Sequence, residues 1–150
     1  MAGSEDDHWY PTVEDVVFIH DQIIAEDPDS ESGIHNRDQI QFVIDYVKHG
    51  HFGVIPESVH EKAFHLLRLL AANHYFVDGN KRTALNTTEA FFMLNGYQLH
   101  TEEDIRAMLK LFAIDERLIN EPVAVEYLVN RTSEISEMSL LQSAYEFFQQ

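Results

Sequence analysis

A single all-α domain of about seven helices is the fold class that this sequence predicts. Apolar residues recur at three- and four-residue spacing in separate stretches, and most of those stretches are bounded by capping residues or helix breakers. Length agrees, since 150 residues suit one domain that buries most of a single core.

Each element has its own local reason. Thr12 and Asp15 have capping-box spacing, with Asp in place of the usual Glu, and Val16, Val17, Ile19, His20, Ile23 and Ile24 follow at helical spacing. The first helix therefore runs from about Val13 to Glu26. The segment Asp27-Pro28-Asp29-Ser30-Glu31-Ser32-Gly33 is polar and rich in breakers, and is expected to be the floppiest connection. Ile40, Val43, Ile44 and Val47 mark a second helix that Gly50 ends, and Val59, Ala63, Leu66, Leu67 and Leu70 mark a third after Pro56. Between them, His51 to Ile55 forms a possible short extended flap.

Thr83 to Asn95 is apolar nearly all round in its second half and carries Gly96 as a C-terminal cap, so this helix is expected at the centre of the bundle. Thr101 with Asp104, and Asn120 with Pro122, open two packing helices that carry Ile105, Met108, Leu109 and Phe112, then Val123, Tyr127 and Leu128. A last helix from about Ser133 presents Ile135, Met138, Leu141, Tyr145 and Phe148 on one stripe. That stripe needs a surface. The chain's own core is the expected one, with a dimer contact or a partner dock as the alternatives. No internal repeat or low-complexity tract is present.

Composition excludes several functions. Without cysteine there is no disulfide, cysteine-ligated zinc or thiol nucleophile. A formal charge of -16 repels nucleic acid at long range, so no nucleic-acid partner is expected. Such acidity suits either a high-salt milieu or a basic protein partner. The first seven residues are acidic where a signal peptide is basic and then apolar, and no run approaches a membrane span, so a cytoplasmic protein is expected.

The densest chemistry lies in His74-Tyr75-Phe76-Val77-Asp78-Gly79-Asn80-Lys81-Arg82. Fixing seven of these residue types by chance, at roughly 5% usage each, is about a one-in-a-billion event per position. A turn at Asp78, Gly79 and Asn80 feeds a helix that starts near Lys81, whose first amides are unpaired and whose dipole favours an anion. Gly79 allows close backbone approach, Lys81 adds a point charge and Arg82 a bidentate fork for phosphate oxygens. Asp78 beside that cradle suits Mg²⁺ shared with phosphate. His74, whose side-chain type titrates near pKa 6.5, suits a general base for a hydroxyl nucleophile. Phe76 is expected to turn inward as an anchor. Singly, Asn80 reads as a cap, Asp78 as a turn residue, and Lys81 and Arg82 as solvated charges. As a set this is less economical, because two basic residues in a first turn oppose the helix dipole by roughly 0.3–1 kcal/mol each. A bound anion removes that cost.

On these residues the chain resembles the Fic/Doc family, in its death-on-curing (Doc) branch. The likeness extends to Thr12-Val13-Glu14-Asp15-Val16, Ile19-His20-Asp21, Gly33-Ile34, Arg37 and residues 86–97. It covers about residues 11–131, leaving 1–10 as a flexible acidic N-terminus and 132–150 as an amphipathic helical extension. The resemblance implies a compact helical bundle with the motif between two core helices. It also implies an ATP- and Mg²⁺-dependent transferase. Most Fic proteins transfer AMP to a target hydroxyl, whereas the Doc toxin transfers the γ-phosphate of ATP to a threonine of a translation elongation factor and is held in check by an antitoxin. AMP-transferring motifs have Gly at the position of Lys81 and a second arginine at that of Leu85, and this chain matches Doc at both. Gly79 departs, since the best-known Doc toxin has Ala there and AMP-transferring members have Gly.

The implied roles are His74 as base, Asp78 as metal ligand, and Gly79, Asn80, Lys81 and Arg82 as the phosphate cradle, with ATP inverted so that its γ-phosphate meets the target. The flap, here His51-Phe52-Gly53-Val54-Ile55, aligns the target peptide in the family. AMP transfer, and a non-catalytic binding module that keeps the fold, are the alternatives; the intact motif argues against the second. Some members silence themselves with a helix carrying Ser or Thr, three residues, Glu, and Gly or Asn. Ser133 and Glu137 fit its first half and Met138 breaks the second, so self-inhibition is not expected. A histidine metal cluster is not expected either, because His49 with His51 and His60 with His65 lack the helical i, i+4 spacing. His20 and His65 are expected to be partly buried against backbone partners.

Overall fold

The computed structural model describes residues 6–149, and only the backbone of residues 137–140, 143 and 144. Among the described residues there are seven α-helices: α1 Val13–Glu26, α2 Arg37–His49, α3 Val59–Ala72, α4 Asn80–Leu94, α5 Asp104–Asp115, α6 Glu121–Asn130 and α7 Glu137–Phe148. A short 3-10 turn, Glu116–Leu118, joins α5 to α6, and two strands, β1 Tyr97–Leu99 and β2 Thr132–Glu134, form the one small sheet among the described residues. None of these helices is long and apolar enough to cross a membrane.

Where a cap is local, the helix begins where sequence chemistry puts it. Thr12 and Asp15 close a reciprocal box at the start of α1, and Asn120 accepts from the Val123 N–H at the start of α6. Gly50 ends α2 at φ 75, where a Cβ would lie 2.0 Å from the Val54 carbonyl oxygen, so only glycine fits. The following flap is a tight turn at Phe52 and Gly53, closed by one antiparallel bridge between His51 and Val54.

Two helices share the centre. Helix α3 packs against α2, α4, α5 and α6, and buries Ala63, Phe64, Leu66, Leu67, Leu69, Leu70 and Ala71. Helix α4 packs on α3 and α1 through Thr83, Ala84, Thr87, Thr88, Phe91 and Phe92, while Met93 and Leu94 face solvent. The second half of α4 is thus less enclosed than its composition suggests, and α3 is the more deeply buried helix. Fully buried Phe76, Phe91, Phe92 and Phe112 are the largest core side chains, each contributing about 1.5–3 kcal/mol by leaving water.

Four expectations change. Thr101 does not cap α5, which starts after Glu103 without a side-chain cap. Asp104 is used elsewhere, accepting from Tyr127 Oη at 2.7 Å and Arg131 at 2.6 Å, and so clamps α5 to α6. The last helix begins at Glu137 rather than Ser133, because residues 132–134 pair antiparallel with 97–99. The described members of its apolar stripe do not pack on the core: Leu141, Tyr145 and Phe148 are 65%, 66% and 80% exposed. The side chains of Glu137 and Met138 lie outside the described residues. Finally, Asp6 to Tyr10 do not belong to a flexible tail. Asn95 accepts the Trp9 N–H at 2.9 Å and donates to the Trp9 carbonyl at 3.0 Å, and buried Lys62 approaches Asp6 and the Tyr10 ring. Tethered at backbone and side chain, this segment straps across the bundle.

Candidate active site

The motif occupies the connection from α3 into α4, and a short ladder sets its register. Segment 33–36 runs beside 75–77: His35 and Asn36 N–H groups donate to the Tyr75 carbonyl, Ile34 bridges Phe76, and Val77 N–H donates to Gly33 at 3.0 Å. Tyr75 and Phe76 point into the core, at 4% and 2% exposure, as an anchor should. Burial pushes the Tyr75 phenol up to about 12, so it stays neutral at physiological pH. His74 is exposed, two residues past the end of α3, and its ring makes no hydrogen bond or ring contact among the described residues.

Gly79 caps α4 at φ 81, a left-handed conformation, with its carbonyl accepting the Thr83 N–H at 2.9 Å. The N–H groups of residues 80–82 then open the helix with no intrahelical acceptor. Asp78 is exposed, with one carboxylate oxygen held by the Gly79 N–H at 2.8 Å. Lys81 is exposed and unpartnered among the described residues.

Two of the motif's side chains are already engaged. Asn80 accepts from the Phe76 N–H at 3.1 Å and donates to the Phe76 carbonyl at 3.0 Å, closing the turn on itself. Its side chain is therefore a brace rather than a phosphate ligand, and only its backbone N–H remains for an anion. Arg82 donates to Asp27 at 3.1 Å and to Ser30 at 3.0 Å. These contacts, with Asp27 also accepting from Ser30 Oγ and the Asp29 N–H, tie down the loop that composition suggests is floppy. The Ser30 hydroxyl first, then the Asp29 N–H and Arg82, hold the Asp27 carboxyl below its usual range. A groove of about 420 Å³ opens here, lined by Ile23, Glu26, Asp27, Arg82 and Asn86. A larger one, about 520 Å³, lies between α3 and α6 beside Glu61, Glu121 and Glu126 and shares no residue with the motif.

One residue beneath the turn carries more of its geometry than its sequence position suggests. His20, from α1, donates through Nε2 to the Asp78 carbonyl at 2.7 Å and stacks on Phe76 at 3.8 Å. Its Nε2 partner is backbone, as expected, but the residue is fully rather than partly buried, at 1% exposure. His65 instead bonds side chains, donating to Glu121 at 2.8 Å and accepting from Arg68 at 2.9 Å. The triplet Ile19-His20-Asp21 was the available signal for His20; nothing local pointed to Asp27 or Ser30.

The arrangement is a helix N-terminus with free amides, two nearby cations, an exposed carboxylate and an exposed imidazole. It fits a phosphorylated ligand and Mg²⁺ held by one carboxylate, phosphate oxygens and water. Among the described residues no group of three or more His, Asp or Glu makes a closed metal cage.

A helical bundle with this turn between two core helices defines the class, and comparison with known families names it. The Fic/DOC family model matches residues 10–92, and the chain belongs to the Fic/Doc family. It is also 49% identical over 45 residues to Toxin Doc of Mycolicibacterium smegmatis. That alignment takes in 30% of this chain and 35% of the relative.

Proposed function

We propose that the chain is a Doc-like toxin kinase that transfers the γ-phosphate of ATP to a hydroxyl, a threonine, of a translation elongation factor, with an antitoxin protein as its cognate inhibitor. The observation that carries this reading is the turn itself. Asp78, Lys81 and Arg82 surround the open first turn of α4, and His74 stands exposed at the end of the segment that leads into it. Similarity to a relative named Toxin Doc supports the toxin role, and Lys81 and Leu85 favour phosphate over AMP.

Phosphoryl transfer asks the protein mainly for position and charge neutralisation. The free amides of residues 80–82 and the Arg82 fork hold phosphate oxygens; Lys81 offsets developing charge. His74 takes the proton of the target hydroxyl as that oxygen attacks the γ-phosphorus, and the bond from that phosphorus to the β,γ-bridging oxygen breaks to release ADP. Asp78 would hold Mg²⁺, which when bound would supply Lewis-acid neutralisation of the phosphates. The exposed flap, with Phe52 93% accessible at its tip, offers backbone for an extended target segment.

AMP transfer is the second reading, favoured by Gly79. Incubation with elongation factor and ATP labelled at the γ- or α-phosphate, followed by intact mass, separates them. A gain of one phosphate supports the kinase, and a gain of AMP the adenylyltransferase. No modification, together with undiminished toxicity of His74→Ala, rejects both.

A further inference from the structure

We propose that His20 is a positioning residue for Asp78, acting through the peptide unit that joins Asp78 to Gly79; the metal-holding role of Asp78 rests on the function proposed above. A carbonyl oxygen only accepts, so the 2.7 Å contact with the Asp78 carbonyl places the imidazole hydrogen on Nε2. There is no cis peptide bond among the described residues, so the C=O and N–H of the 78–79 unit point to opposite sides. Drawing the carbonyl toward α1 therefore turns the Gly79 N–H the other way. There it meets Asp78 Oδ1 at 2.8 Å. One carboxylate oxygen is thus anchored and the other is left for a cation.

The ring is held as firmly as its hydrogen bond requires. It is 1% exposed and lies flat on Phe76, with an interplanar angle of 9° at 3.8 Å. Phe76 is itself braced at both backbone groups by Asn80. On its other side Asp21 Oδ1 lies 3.3 Å from Nδ1, an acceptor facing an acceptor in this tautomer, so the hold comes from Nε2 and the stack. Glycine at 79 takes the φ of 81 that this turn needs; a Cβ there would press on Ile24 Cδ1 at 3.2 Å and meet His20 Cδ2 at an ordinary 3.5 Å. Donor and stacked ring act together to aim one carboxylate.

Two substitutions separate aiming from packing. His20→Phe keeps a ring on Phe76 and removes the donor; His20→Gln removes the ring and keeps an N–H at the same number of bonds from Cβ. The readouts are the Gly79 amide resonance and its hydrogen exchange in the protein alone, and Mn²⁺·ADP affinity by titration. His20→Phe is expected to shift the Gly79 resonance, speed its exchange and weaken Mn²⁺·ADP by about 10–100-fold, the range for residues that orient metal ligands. His20→Gln is expected to stay close to wild type in all three. If both variants behave alike, or His20→Phe leaves the Gly79 amide unchanged, His20 only packs and the proposal fails. Should His20→Phe fold poorly, His20→Met against His20→Gln makes the same comparison at nearly equal volume. A wild-type protein that ignores Mn²⁺·ADP overturns the nucleotide reading and the metal part of this proposal, while the Gly79 amide still decides whether His20 sets the peptide plane.

Discussion

Arg82 is held by Asp27 and Ser30, so a phosphate reaching its guanidinium displaces a carboxylate first. The pair is exposed, and solvent screening keeps its contribution small. Asp27→Asn should accordingly tighten ADP binding by about two- to fivefold in a calorimetric titration, with the gain shrinking as salt screens the wild-type pair. Gly79 poses the opposite problem. Its φ of 81 and the 3.2 Å approach of Ile24 Cδ1 leave little room for alanine. Gly79→Ala should lower unfolding free energy by about 1–2 kcal/mol in urea, the cost of a left-handed conformation with a Cβ. Residue types in the motif were legible at once; which of them were already occupied was not.

At the scale of elements, residues 132–134 are tied to the helices through β1. Ending the domain near 131 removes β2, its ladder to β1 and the 2.7 Å bond from His60 to Thr132 that ties the sheet to α3. Ending it at 136 removes only α7, whose Leu141, Tyr145, Phe147 and Phe148 are exposed. A chain ending at 136 should melt within about 2 °C of the full chain, and one ending at 131 about 3–10 °C lower, by thermal denaturation followed by circular dichroism. Three-residue strands are too short to show an alternating pattern, and Ser133 reads equally well as a helix cap. That is why the sheet was not visible in the sequence while the flanking helices were.

For the molecule as a whole, buried His65 and half-buried His60 set a pH dependence. Burial first, then the neighbouring Arg68 cation, pushes His65 below its ordinary value of 6.5, and burial does the same to His60. Arg68 donates to His65 Nδ1, so protonation there would set two donors against each other. A histidine with a lowered folded pKa binds its proton more readily when unfolded. Stability is therefore full above about 6.5 and falls as pH drops through 6.5 toward the lower folded values. Glu89, raised by burial, works in the opposite sense above 4.5, and the lowered carboxylates Asp27 and Asp104 lose their contribution only below about 3.8. Urea titrations at pH 7.5 and 5.5 should show the loss, and His65→Gln, which cannot titrate, should flatten it.

By itself the sequence determined the all-α class, the bounds of α1, the cap of α6, the stop at Gly50 and the residue set of the phosphate turn. All of these rest on neighbours within a few positions, where capping, periodicity and glycine conformation act locally. Only the tertiary structure decided that His20 supports Asp78 from 58 residues away and that Asp27 occupies Arg82 from 55 residues away. It also decided that Asn95 straps Trp9 and that Leu141, Tyr145 and Phe148 of α7 stay exposed. The contacts of His20 and Arg82 form because α4 packs against both α1 and α3, and that packing brings together polar groups that no local pattern pairs.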